Sequence, residues 1–135
     1  MRLTLCALAI AAAMLLSSLP AQAHHSFTGT YDVSREVKLK GKIVEINWRS
    51  PHSFFYVEAE DSEGTLQRWA VEAASAAQFA QQGVNRNSFR VGDPVEVFAN
   101  PARSATVISY RARLLKITRT TDGQSWGGRP GETFQ

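Results

Sequence analysis

The stretch Val37-Lys38-Leu39-Lys40-Gly41-Lys42-Ile43-Val44-Glu45-Ile46-Asn47-Trp48 decides the fold class. From Val37 to Ile43, apolar or small residues alternate with Lys38, Lys40 and Lys42. That is the period of two of a strand with one face buried. At Val44 the phase changes, and Val44, Ile46 and Trp48 take the face the lysines held. A long strand over 36–48 with a glycine at its middle and a phase switch predicts a bulge or sharp bend. A strand bent in this way belongs to both sheets of a small barrel.

Working outward, residues 53–60 read as a second strand, with Phe55, Val57 and Ala59 on one face and Phe54 and Tyr56 on the other. Asp61-Ser62-Glu63-Gly64 is a hairpin turn, and 66–72 a third strand carrying Trp69 and Val71. Ser75 is placed to cap a short helix over 76–82 that Gly83 closes. Arg90-Val91-Gly92-Asp93-Pro94 turns into a fourth strand over 95–99. A loop follows over 100–106, then a fifth strand over 107–118. Asp122-Gly123 is a turn. Residues 24–34 form an N-terminal arm whose order depends on docking Phe27 and Tyr31. The chain is mainly β, and one short helix between strands 3 and 4 of five is the order of a small OB-like barrel. An SH3-like barrel or a small sandwich is the alternative.

The termini set the domain limits. Met1-Arg2, an uncharged apolar run over 3–16 and Ala21-Gln22-Ala23 follow the order of a cleavable signal peptide over 1–23, cut after Ala23. The run is too short for a comfortable membrane span of about 20 residues, so the mature chain is expected in the periplasm or secreted, with no membrane span. The barrel with its arm is expected over 24–126, with a glycine-rich flexible tail over 127–135. The single cysteine, Cys6, lies in the signal. A mature chain without disulfides takes its stability from packing.

Composition narrows the function. The formal net charge is only +3 over 135 residues, and loss of Arg2 lowers it by one, so nucleic acid is not expected as a partner. Basic residues concentrate after residue 84, mostly as arginine, the better bidentate partner for carboxylate or phosphate. No G-x-S-x-G elbow, phosphate-binding loop or dinucleotide fingerprint is present. The carboxylates at Glu58, Glu60, Asp93 and Glu96 look like turn and strand-surface groups, so no catalytic residue is assigned.

OB barrels take ligands on the face of strands 2 and 3 and with the loops joining strands 1–2 and 4–5. Here those loops hold Trp48, Arg49 and His52, and Asn100 and Arg103; the face between them shows Phe54, Tyr56 and Arg68. Trp48, Arg49, Tyr56, Arg68, Asn100 and Arg103 are therefore the candidate ligand-binding set. The rings would stack a sugar or base, and the guanidiniums would hold an anionic group. The competing reading is that Trp48 and the paired aromatics finish the core at the barrel mouth. His24, His25 and His52, the three histidines of the chain, are candidate metal ligands. After cleavage, His24 would carry a free amine beside its ring, and amine and imidazole nitrogens suit copper(II) best, with zinc or nickel next.

The combination His24-His25-Ser26-Phe27, Tyr31-Asp32, Gly41-Lys42-Ile43, Pro51-His52, Trp69, Gly92-Asp93 and Pro101-Ala102-Arg103 resembles domain-of-unknown-function family 6152. That resemblance implies a small exported bacterial β domain and supplies no reaction. The leading expectation is a non-enzymatic periplasmic binding module for a small or anionic ligand or a metal ion. The alternatives are a copper-binding redox protein built on the mature N-terminal histidine, and an envelope module whose basic half meets an acidic protein partner.

Overall fold

The computed structural model describes residues 27–61, 63–103 and 110–128. The expected signal peptide, His24, His25, Ser62, residues 104–106 of the loop, the first three residues of the expected fifth strand and 129–135 of the tail lie outside them. The elements, in order, are α1 (Phe27–Thr30), β1 (Val37–Asn47), β2 (Phe54–Glu60), β3 (Leu66–Glu72), α2 (Ala76–Gln81), β4 (Pro94–Pro101), β5 (Arg111–Arg119) and β6 (Ser125–Gly127). Strands β3-β2-β1-β4-β5 lie side by side, and a parallel β3–β5 pairing closes them into a five-stranded barrel. The short β6 extends β5 at one edge. The OB-like expectation holds, with the one helix between β3 and β4.

The phase switch in β1 has a physical cause. Against β2, Ile43 pairs with Val57 and Glu45 with Tyr56, so Val44 is the extra residue of a bulge. Three residues earlier, β1 turns between its partners at Gly41. A Cβ there would stand 2.0 Å from the Glu58 carbonyl oxygen. The bend therefore needs glycine for space, and it lets β1 pair with β2 through one half and β4 through the other.

Alternation fills the interior. Leu39, Ile43, Phe55, Val57, Val71, Val97 and Ile117 are buried there. Helix α2 plugs one end with fully buried Phe79, whose ring meets Trp48 at 5.2 Å, Phe55 at 5.8 Å and Trp126 at 4.2 Å. The helix starts where the sequence places it, with a complete capping box between Ser75 and Gln78.

Several boundaries differ from the sequence reading; the fifth strand, expected over 107–118, is Arg111–Arg119. β4 runs on through Asn100 and Pro101, which were expected in a loop, because they continue the ladder with Arg113 and Ala112. Gly127, expected in the tail, closes β6 opposite Lys116.

Candidate functional site

Strand register builds the outer face of β2, β3 and β5. Since Phe55, Val57 and Val71 point inward, their neighbours point out. Phe54 lies opposite Glu72, Tyr56 opposite Ala70, and Ala70 beside Arg111 across the closing pair. Ala70 is the smallest side chain among larger ones. Around it opens a slot of about 330 Å³, lined by Phe54, Tyr56, Arg68, Ala70 and Arg111. The Phe54 and Tyr56 rings lie 6.3 Å apart at 29°. The Arg68 guanidinium sits 4.9 Å from the centre of Tyr56, and that of Arg111 5.5 Å from Phe54. Arg68 pairs with Glu45 at 2.5 Å, with both side chains about half exposed (52% and 49%). Exposed pairs of this kind contribute about 0–1 kcal/mol, so an anion in the slot can replace Glu45.

Arg111 is held differently. Its guanidinium donates to Glu72 at 2.6 Å and to the Tyr31 hydroxyl at 2.8 Å, while that hydroxyl donates to the same carboxylate oxygen. Tyr31 is 1% exposed. It is carried there by the arm: Asp32 N–H bonds Pro101 O, Arg103 N–H bonds Thr30 O, and the Arg103 side chain bonds Thr28 O. Burial of the phenol, then its bond to Glu72, pushes the Tyr31 pKa well above that of an ordinary tyrosine. For Glu72, burial alone would raise the pKa. The bonds from Tyr31 and Arg111, with the Arg111 charge, outweigh burial and hold the carboxyl below its usual range. The neighbouring charge and hydrogen bonds keep Arg111 protonated despite its partial burial.

His52 reaches this cluster through its neighbour. Buried Ser53 is bonded through its backbone to Ala73 and Ala74, just past Glu72, and its hydroxyl ties back to Arg49. His52 Nδ1 consequently stands 3.4 Å from Glu72 Oε1. It is off the direction of a hydrogen bond and otherwise unpartnered, so the contact is electrostatic. The Phe27 ring packs edge-on against His52 at 5.6 Å. Phe27, Tyr31, His52, Glu72 and Arg111 enclose a smaller hollow of about 280 Å³ next to the slot.

The residues marked in the sequence fall in two groups. Tyr56 and Arg68 meet at the slot. Trp48 is half-buried and packs edge-on against Phe55 and Phe79. Arg49 is exposed and bonds Asn47. Asn100 is buried and donates to Arg35 O, and Arg103 anchors the arm. His24 and His25 lie outside the described residues. Among the described residues no group of three or more His, Cys, Asp or Glu is placed to hold a metal ion. Sequence reasoning missed Ala70, Glu72 and Arg111 as site residues. Tyr31 was marked only as a ring that must dock.

Residues 12–109 match a family of unknown function, DUF6152. The chain belongs to that family. No curated protein matches the chain. Among solved structures, one similar to this chain is the mitochondrial single-stranded DNA binding protein of S. cerevisiae, Rim1. It is 14% identical and covers 66% of this chain and 97% of its own, with a TM-score of 0.48. Beside that neighbour, the expectation that nucleic acid is no partner does not stand and is withdrawn. It rested on net charge, which averages over the surface, whereas a strand meets one local face. A likeness at this level carries no ligand over to a DUF6152 chain.

No helix among the described residues is long and apolar enough to cross a membrane.

Proposed function

We propose that this chain is an exported, non-enzymatic binding module that takes a small anionic ligand with a flat face into the slot on β2, β3 and β5. The observation that carries the reading is the slot itself. A ring-sized hollow over Ala70 is walled by two stacked aromatic rings and two guanidiniums. Its volume lies within the roughly 300–1,000 Å³ of small-molecule pockets. Rings supply stacking for a planar group, and Arg68 exchanges its exposed partner Glu45 for the ligand's charge. Arg111 stays bound to Glu72 and Tyr31 and serves as a fixed wall. Trp48, Asn100 and Arg103 then hold the frame, while Tyr56 and Arg68 make contact.

The test is a thermal-shift screen of aromatic carboxylates, nucleoside monophosphates and short single-stranded oligonucleotides. Wild type should gain thermal midpoint with at least one flat anion. Ala70→Leu, which fills the slot, should lose that gain, and Arg68→Ala should reduce it. A hit profile unchanged in both variants contradicts the reading.

One observation favours a second reading, a metal ion on His24, His25 and His52, copper(II) before zinc. Phe27, two residues after His25 in the sequence, packs on His52. Glu72 beside His52 Nδ1 is also the kind of partner that orients a ligating imidazole. Copper(II) titration of protein with the native N-terminus, and of protein with one residue added before His24, decides it. Equal affinity removes the N-terminal site.

A further inference from the structure

The slot shares no lining residue with a second cleft of about 370 Å³, walled by α1, the loop before β2, α2, β5 and β6. Its charged side chains are Arg113 and Glu72, with His52 beside them. Glu72 is already committed to Arg111 and Tyr31. Arg113 has no carboxylate in ion-pair reach among the described residues, and its guanidinium rests 4.2 Å from the centre of the Phe27 ring. An arginine steadied by a ring rather than by an acid keeps its N–H donors for another acceptor.

A second observation is independent of the first. Three buried side-chain polar atoms among the described residues have no hydrogen-bond partner, and two of them, Trp126 Nε1 and His52 Nδ1, belong to residues on these walls. The Trp126 indole packs at a tilt against Phe79 and is held by the pairing of Trp126 with Ile117. Its N–H is a donor without an acceptor, in a place where burial makes an acceptor valuable. Leu114 and Ala74 add apolar wall to the same cleft.

We infer that this cleft is a second binding site, for a small monoanion that carries a carboxylate on an apolar body. The carboxylate meets the Arg113 guanidinium and accepts from the Trp126 indole, and the body lies along Leu114 and Ala74. One negative charge is preferred to two because Glu72 stands on the same wall. Neither Arg113 nor Trp126 takes part in the slot or in the proposed metal ligation, so this site stands or falls separately.

The test uses the ¹⁵N-labelled mature chain with hexanoate as probe, at constant ionic strength set with sodium chloride. Hexanoate has no flat face for the slot. The indole N–H resonances are followed, with Trp126→Phe assigning the one from Trp126. The expected result is a saturating shift of the Trp126 indole with Trp69 unmoved, and the same curve in Ala70→Leu. In Arg113→Gln the affinity should fall about tenfold or more, as for loss of a charged hydrogen-bond partner. In Gln81→Glu, an exposed rim position on α2, it should fall about threefold through like-charge repulsion. A shift that never saturates, or an affinity unchanged in Arg113→Gln, overturns the site. If Arg113→Gln loses its cooperative thermal transition, Gln81→Glu decides, and unchanged affinity there overturns it. Saturation by inorganic phosphate but not by hexanoate overturns the assignment to an apolar monoanion.

Discussion

Gly41 and Tyr31 show how much single positions carry. Gly41→Ala would drive a Cβ into the Glu58 carbonyl, and backbone rather than a flexible side chain is in the way. A loss of about 3 kcal/mol or more is expected in chemical denaturation, in the range reserved for strain and overpacking. Tyr31→Phe keeps the ring and removes the hydroxyl shared by Glu72 and Arg111. It should cost about 1–3 kcal/mol at neutral pH, since Glu72 keeps Arg111 but loses a buried donor. The same variant has a signature at high pH. The Tyr31 pKa is raised in the folded chain, so its contribution is complete below the ordinary value of 10.0 and fades as pH rises above it. Stability measured from pH 9 upward should fall more steeply in wild type than in Tyr31→Phe. At this scale the sequence was legible where the signal is local. Alternation put Phe55 and Val57 inside, and Tyr56 and Arg68 outside. Glu72 and Arg111 looked like ordinary strand residues, because what joins them is a parallel pairing of β3 with β5 and a phenol from a distant arm.

Among the elements, α2 was readable from its own residues. Ser75 and Gln78 cap each other, and Ser75→Ala should cost about 1 kcal/mol in denaturant unfolding, the usual worth of an N-cap. A drop beyond about 2 kcal/mol would mean that the Phe79 plug moves with its cap. The arm and β6 were less readable. Phe27 and Tyr31 announced that the arm must dock, yet nothing local said where. It docks by bonding Pro101, the last residue of β4, and Arg103 just past it. β6 is three residues long and bounded by a glycine, too short to show a period. It matters because it brings Trp126 against Phe79 and onto the wall of the second cleft.

For the whole molecule, the closed barrel places the slot on one continuous outer face, with a second cleft beyond the Glu72 cluster. Barrel closure also ties stability to acid pH. Glu72 titrates below its ordinary 4.5, and bonds from Arg119 and the Gln124 backbone bring Asp122 down to about 2. Lowered carboxylates stabilise the fold above their ordinary pKa, and that contribution is lost as pH falls through the folded value. Unfolding free energy should therefore decline from about pH 5 toward pH 2, and Glu72→Gln should flatten part of that decline. The central claim concerns the slot, and an amide chemical-shift map during titration with adenosine monophosphate, a flat anion, tests it most directly. The account predicts saturating shifts gathered at residues 54–56, 68–70 and 111 that disappear in Ala70→Leu. Shifts centred elsewhere on the barrel, or unchanged when the slot is filled, would contradict it.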